Sequence, residues 1–342
     1  MTETARRVVL ASRPVGEPQE SNFRIETVPV PEPGEGQMLL KTLWLSLDPY
    51  MRGRINDAAS YAKPVEVGGV MEGGTVSRVV ASKLPGFAPG DIVVGRTTGW
   101  QTHGVVNGQG VRKIDRSLPL SASLGVLGMP GLTAYSGLAE IGKPKEGETL
   151  VVAAASGAVG GVVGQIAKIR GARAVGIAGG ADKCRFVVEE LGFDACVDHR
   201  APDLAGRLRE ACPNGIDVYW ENVGGPVFEA VFPLLNFFSR MPVCGLISGY
   251  NATEVAPGAL AVPLLMRAVL TKRLNIRGFI VGDFIKREPE FLEEMGGWVR
   301  AGRMKYREYV LEGLDAAPRG LIGLLRGENF GKTLVRIAPD DA

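Results

Sequence analysis

The stretch VVAAASGAVGGVVGQIAK, residues 151–168, decides how the rest of the chain is interpreted. Its apolar start predicts a strand, its glycines predict a tight turn, and its end predicts a helix. The fingerprint G-x-G-x-x-G places its second and third glycines on Gly157 and Gly160, and its first on Ala155. A glycine turn at a helix N-terminus lets backbone N–H groups face a phosphate. We therefore expect a dinucleotide-binding loop that tolerates alanine if φ there stays negative; the alternative is a glycine cluster used for packing only.

The chain around this loop alternates between strands and helices, from residue 126 to about residue 302. Its strands are continuous apolar runs, which are typical of a parallel sheet that is covered on both faces. Repeated strand–helix units predict an α/β fold with a doubly wound parallel sheet of the Rossmann type. The predicted strands are LVVAAA (150–155), AVGIAG (174–179), ACVD (195–198), IDVYWENV (216–223), MPVCGLIS (241–248) and LNIRGFIV (274–281).

The two ends of the chain differ from this middle region. Residues 1–125 contain short runs rich in β-branched or aromatic residues, such as MLLKTLWLSL and GDIVVGR, separated by turn signals. We predict a β-rich domain there, a small antiparallel barrel or sandwich, and we expect residues 303–342 to pack back onto it. The length of 342 residues is more than one hydrophobic core serves, which supports two domains.

The end of the second predicted strand bears on which dinucleotide binds. An acidic residue there would bind the ribose 2′-hydroxyl of NAD, but AVGIA ends in two glycines. Asp182 comes slightly late, at a helix start, where an N-cap role is expected. Lys183 and Arg185 follow, and Arg200 stands just after the third strand. Cations without an acid fit a 2′-phosphate and hence NADPH, with Lys183 as the best candidate; the alternative is that Lys183 and Arg185 are solvated helix residues.

Charge and hydropathy argue against several classes of partner. Lys and Arg number 39 and Asp and Glu 37, so the net charge of +2 gives no reason to expect nucleic acid or a membrane. The apolar run at 8–11 is too short for a secretory signal. The apolar stretch 259–270 is interrupted by Pro263 and Arg267, and it is far too short to span a bilayer. We therefore expect a cytoplasmic protein.

Cysteine and histidine usage argues against a metal centre. The four cysteines form no C-x-x-C pair, and their scatter predicts buried, reduced thiols. The two histidines are His103 and His199, so a zinc site built from Cys and His is not expected. The segment GENFGKT (327–333) also falls short of a P-loop, because Arg326 stands where that motif requires glycine.

Motifs spread along nearly the whole chain resemble one enzyme family. In order they are LSLDPYMRGR (45–54), VMEGGTVSRVV (70–80), GMPGLTAYSGL (128–138), AAASGAVGGVVGQIAK (153–168), DKCRFVVEELGFD (182–194), ENVGG (221–225), CGLISGYN (244–251) and ENFGKTLV (328–335). The chain resembles the zinc-free medium-chain dehydrogenases/reductases. Within them it resembles the prostaglandin reductase / leukotriene B4 dehydrogenase / alkenal double-bond reductase family, in particular its bacterial curcumin-reductase branch. Where zinc-containing relatives carry Gly-His-Glu, this chain has Gly69-Val70-Met71.

The resemblance implies a domain plan and a cofactor site. It implies a GroES-like catalytic domain at 1–125, a Rossmann NADP-binding domain at 126–302 and a return to the catalytic domain at 303–342, in a homodimer. It also implies that Lys183 binds the 2′-phosphate of NADPH, and that His199 stands where the family often has tyrosine. The other implied cofactor contacts are Gly157, Ala158, Val159, Gly160, Asn222, Cys244, Gly245, Ser248, Tyr250, Phe279, Ile280, Val281 and Asn329.

The implied reaction is NADPH-dependent reduction of the C=C bond of α,β-unsaturated aldehydes and ketones. Hydride addition to the β-carbon leaves negative charge on the carbonyl oxygen, and without zinc hydrogen-bond donors must stabilise that charge. Candidate donors are Tyr50, Tyr61 and Tyr250, or hydroxyls of the cofactor, and a tyrosine or water then protonates the α-carbon. The alternatives are an NADPH quinone oxidoreductase, an enzyme that oxidises a secondary alcohol, and a non-catalytic NADPH-binding protein.

Overall fold

The computed structural model describes residues 3–57, 60–96, 98–254 and 262–341. The chain divides into two compact units, Met1–Gly125 together with Glu308–Ala342, and Val126–Arg307. The first unit is therefore built from both ends of the chain, and the second unit is continuous. Among the described residues, no helix has the length and apolar content needed to cross a bilayer.

The first unit begins as a series of short strands with a helical turn. They are β1 (Thr4–Leu10), β2 (Phe23–Pro29), β3 (Met38–Ser46), α1 (Met51–Arg54), β4 (Thr75–Ser82), β5 (Ile92–Gly95), β6 (His103–Val106) and β7 (Arg112–Lys113). β1 and β2 form an antiparallel pair. β3 pairs antiparallel with both β4 and β6, and β4 continues the sheet to β5 and β7.

The second unit alternates strands and helices. In chain order it contains α2 (Met129–Gly137), β8 (Thr149–Ala153), α3 (Gly160–Ile169), β9 (Arg173–Ala178), α4 (Ala181–Glu189), β10 (Ala195–Asp198), α5 (Leu204–Ala211), β11 (Ile216–Trp220), α6 (Gly225–Val231), β12 (Leu235–Val243), α7 (Val262–Lys272), β13 (Asn275–Gly278) and α8 (Glu288–Arg300). The strands lie in the order β10-β9-β8-β11-β12-β13, and every neighbouring pair is parallel.

This strand order places a topological switch point between β8 and β11. From β8 the chain builds outward to β9 and β10, and from β11 it builds in the opposite direction to β12 and β13. In a doubly wound sheet, ligands bind at the carboxyl ends of the strands where the order reverses. The glycine loop follows β8, so it lies at this position.

The C-terminal segment contains β14 (Glu308–Glu312), α9 (Ala317–Leu325) and β15 (Lys332–Arg336). Its two strands complete the sheet of the first unit. β15 pairs antiparallel with β3, where Leu334 faces Ser46, and parallel with β14. The resulting sheet order is β14-β15-β3-β4-β5-β7.

Each unit has a hydrophobic core of its own. In the first unit Leu45 of β3 packs in one cluster with Met51, Trp100 and Leu321. In the second unit the cluster contains apolar residues of five parallel strands and of the helices that cover them, Val151, Val175, Val197, Leu208, Tyr219, Val231 and Met241 among them. The predicted fold class, a Rossmann-type parallel sheet plus a β-rich domain, is confirmed.

Two local predictions were wrong. The strand predicted at 241–248 is β12 (Leu235–Val243), which begins six residues earlier and ends five residues earlier than predicted. Pro233 lies in a single 3-10 turn after α6, and Leu235 then pairs with Ile216 of β11. Asp182 is not an N-cap, because α4 begins at Ala181 and Asp182 forms an ion pair with Arg185 inside the helix.

Candidate functional site

The glycine loop joins β8 to α3 without room for larger residues. A Cβ atom on Gly160 would lie 2.3 Å from the carbonyl oxygen of Ala154, and one on Gly157 would lie 3.2 Å from the same oxygen. Ala154, not Ala155, takes the left-handed conformation, with φ of 55°. Ala155 is buried, and its Cβ occupies the space beside Gly176 of β9. The tight turn is therefore made one residue before the fingerprint's first position, which explains why alanine is accommodated there.

This loop fits a pyrophosphate. Ala158 and Val159 are half-buried between the two glycines, and Val159 is the residue that precedes the helix start at Gly160. The loop is held to the sheet by the Ala155 amide, which donates to Ile177 of β9 at 3.0 Å. A helix N-terminus that follows a close-packed glycine turn favours an anion through its aligned N–H groups.

Three basic side chains meet beyond the end of β9. A Cβ atom on Gly179 would lie 2.8 Å from Nε2 of His199 and 3.0 Å from Nε of Arg200, so glycine at this position lets both side chains approach the strand end. Partial burial and the charge of Arg200 lower the pKa of Lys183. Partial burial and the charges of Arg200 and Lys183 also lower the pKa of His199, against the opposing charge of Asp198. We call Lys183, His199 and Arg200 the basic cluster.

The carboxylate of Asp198, whose charge acts on His199, is engaged by the backbone. Oδ1 of Asp198 accepts hydrogen bonds from the amides of Gly180 at 2.8 Å and Arg200 at 2.9 Å, and these bonds lower the pKa of the carboxyl group. Arg185 forms an exposed ion pair with Asp182. The structure thus places Lys183 in the cluster and Arg185 outside it, and a dianionic 2′-phosphate fits the cluster's charge.

The ENVGG segment connects the two halves of the sheet. Nδ2 of Asn222 donates to the carbonyl of Ala153 at 2.8 Å, and its Oδ1 accepts from the indole of Trp220 at 3.1 Å. Asn222 thereby joins the end of β11 to the end of β8, at the switch point. The buried carboxylate of Glu221 accepts from the amides of Val223 and Gly224 at 2.6 and 2.8 Å and fixes the following turn.

The segment after β12 folds back onto ENVGG. The amides of Cys244 and Gly245 donate to the carbonyl of Glu221, at 2.9 and 3.2 Å. Ser248 donates through its hydroxyl to the carbonyl of Val223 at 2.5 Å. The hydroxyl of Tyr250 accepts from the amide of Leu246 at 3.5 Å, and a Cβ atom on Gly245 would lie 3.2 Å from it. The four predicted residues here therefore belong to one packed segment: Cys244, Gly245, Ser248 and Tyr250.

Phe279, Ile280 and Val281 follow β13. The ring of Phe279 lies edge-on to Trp220, with ring centroids 5.7 Å apart, and Trp220 is the residue that bonds Asn222. Ile280 is exposed and its amide bonds Asp283 at 3.1 Å, while Val281 is half-buried. Phe279 is thus connected to the switch point through one aromatic contact.

In the first unit, two of the candidate tyrosines share one arginine. The guanidinium of Arg54 lies 4.6 Å from the ring centroid of Tyr61 and 5.6 Å from that of Tyr50, and Arg96 lies 5.4 Å from the Tyr50 ring. Arg54 is 2% exposed, whereas Tyr61 is 58% exposed. Nη1 of Arg54 also donates to the carbonyl of Ala62 at 3.3 Å, which ties it to the segment that carries Tyr61.

The hydroxyl of Tyr50 has a distinct electrostatic environment. Burial and the charge of Asp48 raise the pKa of Tyr50 to about 12, against the opposing charge and hydrogen bond of Arg96. Tyr50 is therefore protonated at neutral pH and available as a hydrogen-bond donor. Sequence reasoning missed Arg54, although its position four residues after Tyr50, at the end of α1, was a usable signal.

A buried ion pair anchors the loop that carries Tyr50. Nζ of Lys332 donates to Oδ1 of Asp48 at 3.0 Å and to the carbonyls of Leu47 at 2.6 Å and Thr333 at 3.1 Å. Asn329 lies three residues before Lys332 in the first unit, and its Nδ2 donates to Gly331 at 2.8 Å. The expected contact of Asn329 with a nucleotide stays a prediction.

Metal ligation has no candidate in the part of the chain that the structure describes. No group of three or more His, Cys, Asp or Glu side chains there could hold a metal ion. His103 lies in β6, where its Nδ1 is 3.2 Å from the hydroxyl of Thr102.

Comparison with known proteins places the whole chain in one family. Residues 6–114 match the family model of the N-terminal domain of oxidoreductase, and residues 158–296 match that of zinc-binding dehydrogenase. The chain is 58% identical to an NADPH-dependent curcumin reductase of Escherichia coli, with 98% of each chain covered. It is 40% identical to a tobacco (Nicotiana tabacum) 2-alkenal reductase that is NADP(+)-dependent, with 97% of each covered. It is also 40% identical to prostaglandin reductase 1 of Rattus norvegicus, in an alignment that covers 94% of this chain and 95% of the relative.

A solved structure agrees with these relatives. CurA from Vibrio vulnificus, in complex with NADPH, superposes with a TM-score of 0.94 at 51% identity, covering 98% of this chain and 99% of that one. Family models, relatives and structure thus agree along nearly the full length. The chain therefore belongs to the medium-chain dehydrogenase/reductase superfamily, in its zinc-free prostaglandin reductase and alkenal double-bond reductase family.

Proposed function

We propose that this protein is an NADPH-dependent oxidoreductase that reduces the C=C bond of α,β-unsaturated aldehydes and ketones. The observation that carries the proposal is the near full-length identity of 40–58% to relatives named curcumin reductase, 2-alkenal reductase and prostaglandin reductase. The glycine loop and the basic cluster support it, because they supply the two phosphate-binding elements that NADPH requires.

The second unit is assigned to the cofactor. Gly157 and Gly160 let α3 begin close against the end of β8, so that the N-terminus of the helix can face a pyrophosphate. The basic cluster receives the 2′-phosphate. Bound NADPH supplies the hydride for the reduction. The remaining predicted contacts, from Asn222 to Val281, line the carboxyl ends of β11, β12 and β13, where the nicotinamide half of a dinucleotide belongs in this fold.

The first unit is assigned to the substrate carbonyl. An enone that gains a hydride at its β-carbon develops negative charge on the carbonyl oxygen, and a neutral phenol can donate a hydrogen bond to it. Tyr50 is protonated at neutral pH, and Arg96 engages its oxygen as a donor, which leaves the phenolic proton to be donated. Tyr61 and Tyr250 remain the candidates for delivering the proton to the α-carbon, as does water.

We also propose a homodimer that forms through the edge of the parallel sheet. β13 ends that sheet, and its residues are largely exposed. The neighbouring helix α7 exposes Leu264, Met266 and Leu270. Edge strands carry backbone groups that pair with a second strand, and apolar side chains beside them favour association. The expected cytoplasmic location stays a prediction.

A substrate panel tests the activity. The purified protein is assayed with enals, enones and quinones, with NADPH or NADH, and products are identified by mass spectrometry and NMR. Saturated aldehydes and ketones from NADPH are the expected products. Allylic alcohols would contradict C=C reduction, turnover of quinones alone would favour a quinone oxidoreductase, and cofactor binding without turnover would favour a non-catalytic protein.

A further inference from the structure

Glu221 is a buried acidic residue at the carboxyl end of β11, beside the segments that are predicted to hold the nicotinamide half of the cofactor. It directly follows Trp220, the last residue of β11, and it is 2% exposed. A buried carboxylate is costly unless hydrogen bonds satisfy it. Its neighbour Asn222 is a predicted cofactor contact, whereas no role follows from the sequence for Glu221 itself. Its role has to follow from its contacts.

The side chain of Glu221 holds the turn that follows β11. Its Oε1 accepts hydrogen bonds from the amides of Val223 at 2.6 Å and Gly224 at 2.8 Å. Burial raises the pKa of the carboxyl group, and these two hydrogen bonds oppose that shift. Gly224 and Gly225 have φ of 75° and 54°, in the left-handed region that favours glycine. The carboxylate therefore fixes a turn whose glycines would otherwise be free to adopt other conformations.

The backbone of Glu221 holds a second loop, the one that follows β12. Its amide donates to the carbonyl of Pro242 at 3.0 Å, and its carbonyl accepts from the amides of Cys244 and Gly245 at 2.9 and 3.2 Å. One residue therefore ties together two loops that carry five predicted cofactor contacts. These contacts are Asn222, Cys244, Gly245, Ser248 and Tyr250.

The two loops also contact each other through the turn. The amide and the hydroxyl of Ser248 donate to the carbonyl of Val223, at 3.0 and 2.5 Å. A Cβ atom on Gly225 would lie 3.2 Å from the hydroxyl oxygen of Ser248. Asn222, at the start of the turn, is bonded to the carbonyl of Ala153 at the end of β8. A shift of the turn therefore moves the loop after β12, and it displaces Asn222 at the switch point.

We propose that Glu221 is a positioning residue for hydride transfer, whose buried carboxylate holds the two loops that place the nicotinamide ring and contacts neither cofactor nor substrate. The role rests on the proposed function, because it concerns the same reaction. Both hydrogen bonds of Oε1 go to backbone amides and the residue is 2% exposed, so the carboxyl group would have to leave these bonds to act as a general acid. A misplacement of about 1 Å lowers turnover by about 100-fold.

Two variants of Glu221 separate positioning from other roles. E221L removes the acceptor of both amides without leaving a buried unpaired charge, and E221Q keeps a carbonyl acceptor of the same shape without the charge. E148L and E148Q are the matched controls. Glu148 also accepts from a backbone amide, that of Lys145 at 2.9 Å, and it pairs with Arg240, but it lies directly before β8, at the amino ends of the strands. Ligands of a parallel sheet bind at the opposite ends.

Two ligands report on the two halves of the cofactor. 2′,5′-ADP carries the adenosine and the 2′-phosphate without a nicotinamide. For E221L, calorimetry should give a Kd for 2′,5′-ADP within about twofold of the wild type, whereas NADPH fluorescence should give a Kd about tenfold higher. E148L should change neither constant, although urea unfolding should show that it is also less stable. An NADPH constant at the wild-type value in E221L, or equal losses with both ligands, would overturn the proposal.

Turnover tests the reaction step. With an enone that the wild type reduces, kcat should fall by about 100-fold in E221L and by about tenfold or less in E221Q, because the amide oxygen keeps weaker hydrogen bonds. A loss in E221Q as large as that in E221L would indicate that the carboxyl group delivers a proton, and it would overturn a positioning role. If the wild type reduces no enone, the proposed function fails, and the two binding measurements still decide the role of Glu221.

Discussion

At the scale of single residues, the cofactor preference depends on which cations approach the end of β9. Lys183 and Arg185 are two positions apart in one helix, yet Lys183 is half-buried beside Arg200 while Arg185 pairs with Asp182 in solvent. The sequence predicted Lys183 as the better candidate, but it left open that both cations are solvated helix residues. Their environments differ because side chains two positions apart on a helix point in different directions.

The variant Lys183→Ala tests the 2′-phosphate contact. Removing a charge-assisted hydrogen bond costs about 1.5–3 kcal/mol, so the KM for NADPH should rise by about tenfold or more while that for NADH stays within about twofold. Steady-state kinetics with both cofactors measures this. Arg185→Ala is the matched control and should change neither value; equal losses with both cofactors in Lys183→Ala would contradict the assignment.

His199 should make NADPH binding depend on pH. Its pKa is lowered by partial burial, Arg200 and Lys183, against Asp198, so the ring is neutral at pH 7 and becomes cationic as the pH falls. A bound phosphate favours the cationic ring, and NADPH affinity relative to His199→Asn should therefore increase from pH 8 to about pH 5.5. Fluorescence titration of both proteins measures the ratio, in which the phosphate's own titration cancels. A ratio independent of pH would show that His199 does not face the phosphate.

Arg54 should act on turnover rather than on cofactor binding. The variant Arg54→Met removes the cation shared by Tyr50 and Tyr61, and contacts of this kind are worth about 0.5–2 kcal/mol each. We expect kcat to fall by about tenfold with an unchanged dissociation constant for NADPH. Arg54→Lys should be intermediate, because lysine keeps the charge without the planar stacking group. A parallel loss of NADPH affinity or of folded protein would indicate a purely structural role.

At the scale of elements, the connection between β8 and α3 is set by backbone contacts, which cannot be recognised from the amino-acid sequence. Ala154 makes the turn in a left-handed conformation, and the missing Cβ of Gly160 lets the helix start against its carbonyl. The position of β12 shows the opposite situation. The sequence predicted its start at Met241, yet the strand begins at Leu235, where it pairs with Ile216 of β11.

The variant Gly160→Ala tests the close contact in the loop. A new Cβ atom 2.3 Å from the Ala154 carbonyl must push the helix from the strand, which costs about 1–3 kcal/mol in stability. We expect a lower midpoint of urea unfolding and about tenfold weaker NADPH binding. Gly297→Ala in α8 is the control, since a Cβ there meets nothing within 4 Å and alanine favours the helix. Normal NADPH binding in Gly160→Ala would show that the loop does not hold the pyrophosphate.

At the scale of the whole molecule, the chain closes its first unit over a long sequence separation. Lys332 and Asp48 are buried partners 284 positions apart, and they join the C-terminal strand β15 to the loop before α1. Lys332, the lysine of the P-loop-like segment GENFGKT, therefore has an ion-pair partner within its own unit. Between these two residues the chain completes the entire second unit.

The variant Lys332→Met tests this closure. It leaves the buried Asp48 carboxylate without its partner, and a broken buried pair costs about 3–5 kcal/mol of unfolding free energy. Chemical denaturation of the full-length protein measures it, and Lys332→Met combined with Asp48→Leu should recover much of the loss. Arg336→Ala, which breaks an exposed pair with Glu312, should have little effect. A stable single variant would show that the pair does not hold the unit closed.

The sequence by itself determined the Rossmann sheet and the glycine loop, and it predicted NADPH as the cofactor. Each of these depends on local patterns: apolar runs of strand length, glycines at fixed spacing, and cations where an acid is absent. Such patterns act over a few residues along the chain, so they can be recognised without knowing where distant segments lie.

The tertiary structure alone decided which of these residues meet. Lys332 on Asp48 joins segments that lie 284 positions apart in the sequence, and Arg54 lies against the rings of two tyrosines on either side of it in the chain. Their contacts depend on strand pairing and helix packing, which are set by the burial of whole faces rather than by any motif. Chemistry at these places was therefore visible only once the fold had brought the side chains together.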